Sequence, residues 1–267
     1  MLRRALTLTA LAAAGTGSAA GVASAAPGAT AAVVISEVAG HREPAGQLVN
    51  LDRGTVVVYE DGRVYRRADM GDWYVPEGFA AASPRGVPRM APPAPPGAYE
   101  WATLSDDAVD DLIEQIEDLG LLDDDLDFGD PLITDSPSSD LVLDIDGERV
   151  EHSVYAPNYS DGLTAEEQAN RRAYNELRAA LFELEDNFAS ELSKFSPYVP
   201  DEWIVRMGGY WSGEVDRPWP LAGDPVDGDC VELPNDGETD TATGGYLLDG
   251  EIIVADATLP NDPRCTL

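Results

Sequence analysis

The chain has 267 residues, of which 43% are hydrophobic and 25% are charged. This composition supports one large or two small globular domains and excludes an intrinsically disordered protein. The 17 basic and 50 acidic residues give a net charge of −33, which excludes electrostatic binding to nucleic acid and to anionic membranes. Two cysteines and two histidines are too few for a four-cysteine or a three-histidine zinc site.

Residues 1–25 are predicted to be a signal peptide that is removed on export. Arg3 and Arg4 supply its positive region, residues 5–14 form a short apolar stretch, and small residues end at 23–25. The apolar stretch is too short to anchor the chain in a bilayer. The arginine pair leaves both the general secretory route and the twin-arginine route open. We therefore expect a secreted, extracellular protein that is free of the membrane after cleavage.

The acidic character becomes stronger once the signal peptide is removed. Loss of Arg3 and Arg4 changes the net charge from −33 to −35, and Lys194 is the only lysine in the chain. Abundant aspartate with almost no lysine resembles the surfaces of proteins from saline habitats, where carboxylates tolerate screening. A genome rich in GC base pairs, which favours arginine codons over lysine codons, explains the same composition, so both interpretations stay open.

Antiparallel β-structure is predicted along most of the mature chain. Asp-Gly dipeptides at 61–62, 146–147 and 249–250 each separate two β-rich runs, and this is the strongest short-range signal for a β-hairpin. The predicted strands cover residues 32–38, 55–59, 63–67, 141–145, 148–155, 203–207, 246–248 and 251–255.

Residues 68–98 are predicted to form a long irregular loop, because their seven prolines exclude a helix or a central strand. A loop of this length is either functional or disordered. Trp73, Tyr74 and Phe79 lie in its first half and are candidate anchors of a binding site. Burial in the core is the alternative for these aromatic side chains.

Two helices are predicted from their ends. The first begins after Ser105 as N-cap and stops at Gly120, and the second begins at Thr164, which forms a capping box with Glu167. Glu167 and Arg171 are spaced to form an i,i+4 ion pair. The predicted buried faces are Val109, Leu112, Ile113, Ile116 and Leu119 in the first helix, and Ala169, Ala173, Leu177, Leu181, Leu184 and Phe188 in the second.

These elements predict an α+β fold in which an antiparallel sheet of Asp-Gly hairpins is packed by two helices. Residues 26–195 form this α+β domain, which includes the proline-rich loop, and residues 196–267 form a small C-terminal β segment packed on it. Cys230 and Cys265 are expected to form a disulfide in an exported chain. In the chain-entropy model, closing this loop stabilises the fold by about 3.8 kcal/mol.

Turn and cap motifs carry a resemblance to an exported actinobacterial protein family of unknown function. They lie at residues 59–64, 104–107, 119–121, 130, 134–137 and 144–147. About half of the chain resembles that family. The resemblance implies a similar fold and an exported location, and it implies no catalytic residues.

The sequence contains none of the short motifs that mark serine hydrolases, zinc proteases or nucleotide-binding loops. His41 lies in a polar stretch that is predicted to be loop, and His152 alternates with Val150 and Val154. We interpret His152 as a hydrogen-bonded histidine at the edge of the core, not as a catalytic base. A hydrolase with a carboxylate pair, involving Asp130 or Asp135, remains an alternative.

One acidic segment has partial calcium-site spacing. Asp123, Asp125 and Asp127 lie at positions 1, 3 and 5 of a calcium loop. Phe128 stands where that loop needs glycine, and Thr134 stands where it needs glutamate. A solvated acidic turn explains the segment equally, and a second acidic stretch at 224–238 meets no fixed spacing. Calcium is the only cofactor that the sequence leaves open.

The sequence therefore favours a non-enzymatic binding or envelope-associated protein. Its partner would be another protein or a cell-envelope component, bound through the long loop, with Trp211 and Trp219 as further candidate anchors. We expect a monomer with no nucleic acid bound and no membrane insertion. The alternatives are a secreted hydrolase with a carboxylate pair and a calcium-stabilised extracellular protein.

Overall fold

The computed structural model describes residues 31–38, 56–67, 99–134, 136–207, 215, 217–235, 242–260 and 265. Several features singled out in the sequence lie outside these residues: the signal peptide, His41, the candidate binding-loop residues Trp73, Tyr74 and Phe79, Asp135 and Trp211.

Strands dominate the described part of the chain. They are β1 (Ala31–Val38), β2 (Val56–Tyr59), β3 (Arg63–Arg67), β4 (Tyr99–Thr103), β5 (Ser138–Ile145), β6 (Glu148–Tyr155), β7 (Ser196–Pro197), β8 (Trp203–Met207), β9 (Cys230–Val231), β10 (Gly244–Leu248) and β11 (Glu251–Ala257). The helices are α1 (Asp106–Asp118), α2 (Ala165–Phe182) and the short α3 (Leu184–Asn187).

The strands form two antiparallel sheets. The first sheet has the order β6-β5-β1-β2-β3-β4-β7, with β1 paired to both β2 and β5. The second sheet has the order β10-β11-β8-β9. The mixed α+β class and the antiparallel pairing predicted from the sequence are confirmed.

The first sheet is buried on both faces because its apolar residues alternate between two cores. Val33 and Ile35 of β1 belong to a cluster that also contains buried residues of α1 and α2. Val34 faces the other way, into a cluster shared with Trp203 and Val205 of the second sheet. Successive side chains of a strand point to opposite faces, so the described elements lie in three layers: helices, first sheet and second sheet.

Tight turns connect neighbouring strands of both sheets. Residues 60–62 join β2 to β3, residues 146–147 join β5 to β6, and residues 249–250 join β10 to β11. Asp146 has φ of 54° and Gly147 has φ of 80°. Positive φ at both central residues is the conformation whose twist matches antiparallel strands.

The helix ends follow the sequence prediction closely. The Ser105 side chain accepts from the backbone N–H of Ala108, and Gly120 after the last turn of α1 has φ of 69°. Thr164 and Glu167 form the complete capping box at the start of α2. Caps are predictable because they depend on residues only three positions apart.

The predicted buried face of α2 is partly wrong. Ala169 is exposed, whereas Arg171 and Tyr174 are buried with Leu177 and Leu181. The helix also ends at Phe182, so the predicted stripe does not continue as one helix to Phe188. The prediction paired Arg171 with Glu167 in an ion pair, but a buried arginine is stable when its donors all find acceptors.

The predicted disulfide is confirmed, with the Cα atoms of Cys230 and Cys265 5.5 Å apart. Cys230 lies in β9 and is paired with Ile204 of β8. The bond therefore attaches the segment around Cys265 to one edge of the second sheet. The first sheet extends slightly beyond residue 195, because β7 pairs with β4.

Candidate functional site

A cleft of about 230 Å³ lies between residues 124–130 and β6. We call it the β6 cleft. Its lining carries four carboxylates, two aromatic rings and one imidazole, and no lysine or arginine side chain is among the described lining residues. The lining residues are Asp124, Leu126, Asp127, Phe128, Gly129, Asp130, Glu151, His152, Ser153 and Tyr155.

The loop wall of the cleft is built by the chain that leaves α1. After Gly120, the N–H of Leu121 donates to the carbonyl of Ile116 over 3.2 Å, and the Leu121 side chain is completely buried. Further on, the Asp127 carboxylate accepts from the N–H of Gly129 over 2.8 Å. These local bonds fix the path of the loop and leave its other acidic side chains exposed.

Helix α2 holds this loop from behind. The amide of Asn170 donates to the Asp127 carbonyl over 2.8 Å. Gly129 has φ of 62°, and a Cβ atom there would lie 2.6 Å from Cδ of Glu167. Only glycine fits this position without displacing a residue of the α2 capping box.

Arg171 connects the two walls of the β6 cleft. It is 2% exposed, and its guanidinium donates to the carbonyls of Phe128 and Gly129 in the loop wall. It also donates, over 2.9 to 3.3 Å, to three carbonyls at and after the end of β6, those of Tyr155, Ala156 and Tyr159.

Burial and charge act on Arg171 in opposite directions. Burial lowers the pKa of Arg171, while the negative charges of Asp130 and Glu167 act to raise it. Because an arginine keeps its proton in proteins, the guanidinium remains a donor to all of these carbonyls. The expected Glu167–Arg171 pair is replaced by these bonds, since the Glu167 carboxylate accepts from the N–H of Thr164 over 2.6 Å.

His152 forms part of the cleft floor. It is 4% exposed, and its Nε2 lies 2.8 Å from the carbonyl oxygen of Leu121. A carbonyl only accepts, so Nε2 carries a hydrogen and Nδ1 is an acceptor in the neutral ring. Nδ1 has no hydrogen-bond partner among the described residues. The interpretation of His152 as a hydrogen-bonded histidine at the core edge is confirmed.

Two aromatic rings flank the imidazole and the loop. Phe128 meets His152 edge to face, with ring centroids 5.2 Å apart, and meets Tyr174 in the same way at 5.7 Å. Phe128 thereby couples the acidic loop to the core of the helix layer. Tyr155 lines the far end of the cleft and donates its hydroxyl to the carbonyl of Ile133.

The other boundary of the cleft is the outer edge of β6. This strand stands last in the order of the first sheet, with β5 as its one neighbour among the described strands. An edge strand leaves backbone N–H and C=O groups on its outer side without a strand partner. The β6 cleft therefore combines acidic side chains with open main-chain donors and acceptors.

The predicted calcium residues are only partly brought together. One carboxylate oxygen from each of Asp123, Asp124 and Asp125 lies within 4.8 Å of the other two, and all three residues are exposed. Asp127 does not belong to this group, and its carboxylate bonds the Gly129 N–H instead. Within the described residues, His152 belongs to no group of three ligands at this spacing.

The other predicted residues lie in different places. Asp130 lines the β6 cleft. Trp219 is buried in the core between the sheets, edge to face with Tyr246 at 5.5 Å. In the second acidic stretch, Asp227 accepts from the N–H of Met207 over 2.7 Å, while Asp224 and Asp229 are exposed.

Arg171 is the residue of this site that sequence reasoning missed. Its spacing from Glu167 predicts a surface ion pair, although it lies on the same helical face as Tyr174, Leu177 and Leu181. A charged residue at the spacing of an apolar stripe is the signal that would have found it.

No helix in the described ranges is both long enough and apolar enough to cross a membrane. The chain matches no family model, no curated protein and no solved structure.

Proposed function

We propose that this protein is an exported, non-enzymatic binding module, and that its ligand is a cation with N–H donors held in the β6 cleft. The observation that carries the proposal is the donor and acceptor balance of that cleft. Three carboxylates of the loop wall, those of Asp124, Asp127 and Asp130, line it together with His152, while the Glu151 carboxylate accepts from Arg149 over 2.9 Å. A ligand that neutralises this set must be positively charged and rich in donors.

The shape and composition of the cleft favour an organic cation over a metal ion. Calcium needs six or more oxygens at about 2.3 to 2.6 Å, and the described carboxylates that lie within 4.8 Å of one another are the exposed Asp123, Asp124 and Asp125. The wider spacing around His152 suits a guanidinium or an ammonium group. Phe128 and Tyr155 also line the cleft, and a cation is attracted to the face of such a ring.

The net charge of −33 supports the same ligand class. A strongly negative surface raises the local concentration of cations and speeds their encounter. In this proposal the Asp-Gly hairpins and the two long helices form the scaffold. Residues Trp73, Tyr74 and Phe79 of the long loop add a second contact with a partner protein or a cell-envelope component. The signal-peptide features and the resemblance to exported actinobacterial proteins support a secreted monomer.

Calorimetric titration tests the proposal with two probes, spermidine and hexa-arginine. The variant D124N/D127N/D130N removes three cleft carboxylates, and the new amide oxygen at position 127 still accepts from the Gly129 N–H. The matched control D110N/D111N/E114Q removes three exposed carboxylates from α1. We expect the cleft variant to bind at least one probe about tenfold more weakly, a loss of about 1.4 kcal/mol.

The affinity of the control variant for the probes should stay close to that of the wild type, because it loses the same number of charges on α1, away from the cleft. If both variants weaken binding equally, the probes respond to net charge and the proposed site is wrong. If neither probe binds the wild type, the proposed function fails.

A hydrolase with a carboxylate pair is the second candidate, because Asp130 and Glu151 are both lining residues of the cleft, with Glu151 accepting from Arg149 over 2.9 Å. Such enzymes use one carboxyl as acid and the other as base or nucleophile. The test is turnover of a panel of chromogenic glycosides by the wild type and by D130N and E151Q. Turnover that both substitutions abolish would replace the binding proposal, and no turnover by the wild type removes this candidate.

Calcium stabilisation is the third candidate, favoured by the grouping of Asp123, Asp124 and Asp125. It predicts that EDTA lowers Tm and that added calcium restores it, since a ligand that binds only the folded state stabilises it. The variant D123N/D125N should remove the response. An unchanged Tm in EDTA eliminates this candidate.

A further inference from the structure

We infer that the cationic ligand is an extended peptide segment that adds to the outer edge of β6 as a further strand of the first sheet. The inference rests on the proposed cationic cleft and names the chemical class of its ligand. Main-chain bonds to β6 would give the affinity, and basic side chains in the cleft would give the specificity.

Strand β6 is the long open edge of the described sheets. It spans Glu148–Tyr155 and pairs with β5 without a register break, from Ser138 opposite Tyr155 to Ile145 opposite Glu148. No described strand lies on its other side. A straight strand of this length is a template for one more strand.

The remaining edges are short or covered. Strand β7 has two residues and contains Pro197, and β9 also has two residues. At β10, the N–H of Leu247 donates to the carbonyl of Arg217, and the N–H of Trp219 donates to the carbonyl of Leu247. Proteins protect sheet edges by such means, whereas no described strand covers the outer side of β6.

The acidic loop selects which strand binds there. The loop lies on the helix side of the sheet, since the Leu121 carbonyl bonds His152 and the Phe128 side chain belongs to the helix-side core. Side chains of an added strand alternate between the two faces. Basic residues at alternate positions would therefore all approach the carboxylates of Asp124, Asp127 and Asp130.

A second copy of this chain does not fit this edge. Glu148 and Glu151 lie in β6 itself, and each copy carries a net charge of −33. Arg149 of β6 pairs with Glu151 within each copy, and the large like net charges of two copies disfavour their association. The occupant we infer is a basic, extended segment of a partner protein or peptide.

Peptide backbone chemistry tests the inference while the protein stays unchanged. The probe is an octapeptide of alternating arginine and threonine, compared with two N-methylated forms, one methylated at the odd and one at the even residues. In an added strand only every second N–H points toward the protein. We expect one methylated form to bind at least about tenfold more weakly than the parent and the other to bind almost as well.

Hydrogen exchange locates the bound peptide. We expect the parent peptide to slow amide exchange within residues 148–155, and spermidine to leave that exchange unchanged. Equal binding of the parent and both methylated peptides would overturn strand addition. Slowed amide exchange at β9 or β10 instead of β6 would also overturn it. If D124N/D127N/D130N still weakens all three peptides, the cationic site stands without strand addition. If no cation distinguishes that variant from the wild type, the proposed function itself fails.

Discussion

The guanidinium of Arg171 donates to backbone carbonyls on both walls of the β6 cleft, two in the loop at 128–129 and three at 155–159. Each buried carbonyl that loses its donor costs about 1 to 3 kcal/mol. We predict that R171M lowers the free energy of unfolding by about 3 to 5 kcal/mol, measured by urea denaturation.

The neighbouring Arg172 is exposed and serves as the matched control. R172M should change the free energy of unfolding by no more than about 0.5 kcal/mol. The free energy of unfolding of R171K should lie between those of R171M and R172M, because a lysine ammonium has three donors and the guanidinium makes more hydrogen bonds than that. Equal stabilities of R171M and R172M would show that the carbonyls are satisfied without Arg171.

Asp140 provides a pH-dependent prediction. Burial raises the pKa of Asp140, a hydrogen bond from Ser153 acts to lower it, and the charge of Glu151 adds to the rise. The folded state therefore holds the proton more tightly than the unfolded state, and stability falls as pH rises through and above the ordinary range near 4. We predict that D140N, measured against the wild type by urea denaturation, stabilises the protein more at pH 7 than at pH 3.

Ser153 supplies the check on this assignment. Its hydroxyl opposes the rise that burial causes in the pKa of Asp140. The stability that D140N adds at pH 7 should therefore be larger in an S153A background. A D140N difference that stays the same between pH 3 and pH 7 would contradict a raised pKa of Asp140.

At the scale of elements, the acidic loop depends on one glycine at its junction with α2. Gly120 and Gly129 both have positive φ, but a Cβ atom meets nothing within 4 Å at Gly120 and meets Glu167 and Leu163 at Gly129. G120A should lower the free energy of unfolding by about 1 to 2 kcal/mol, because of backbone strain alone. G129A should lower it by about 0.5 to 2 kcal/mol more, because Glu167 must leave the capping box.

Thermal or urea unfolding of the two variants measures this difference. G129A should also weaken hexa-arginine binding, since the loop shifts, whereas G120A should weaken it less. A cost for G129A no larger than for G120A would mean that the loop is not held against α2.

The elements that sequence predicted well are those fixed by neighbouring residues. The caps at Ser105 and at Thr164 with Glu167 depend on contacts only three positions apart, so their patterns are visible in the chain. The β6 cleft depends on Arg171 reaching carbonyls up to 43 positions away. The helical spacing of Arg171 indicates that it is buried, but nothing within α2 shows which distant carbonyls it bonds.

At the scale of the whole molecule, the second sheet covers the face of the first sheet that the helices leave open. The sequence indicated a small C-terminal β segment, but not that Val34, Val57 and Val142 of the first sheet would pack against Trp203 and Ile253. The continuous apolar runs at 33–35 and 56–58 are typical of strands buried on both faces, but they do not show which distant strands form the second covering layer.

The Cys230–Cys265 disulfide holds the edge of that second sheet. We predict that C230S/C265S lowers the free energy of unfolding by about 3.8 kcal/mol, the chain-entropy value for a loop of this length. Urea denaturation with and without a reductant provides the comparison. The reductant should bring the wild type to the level of the variant and leave the variant unchanged; a variant as stable as the oxidised wild type would contradict this role.

The central claim is that cations bind in the β6 cleft and are not attracted merely by the net negative charge of the protein. Backbone amide chemical shifts, followed by NMR during titration with hexa-arginine at physiological ionic strength, test it most directly. We predict saturable changes centred on residues 124–130 and 151–155, absent in D124N/D127N/D130N. Changes that never saturate and spread over the acidic residues of α1 and the stretch 224–229 would contradict a specific cleft.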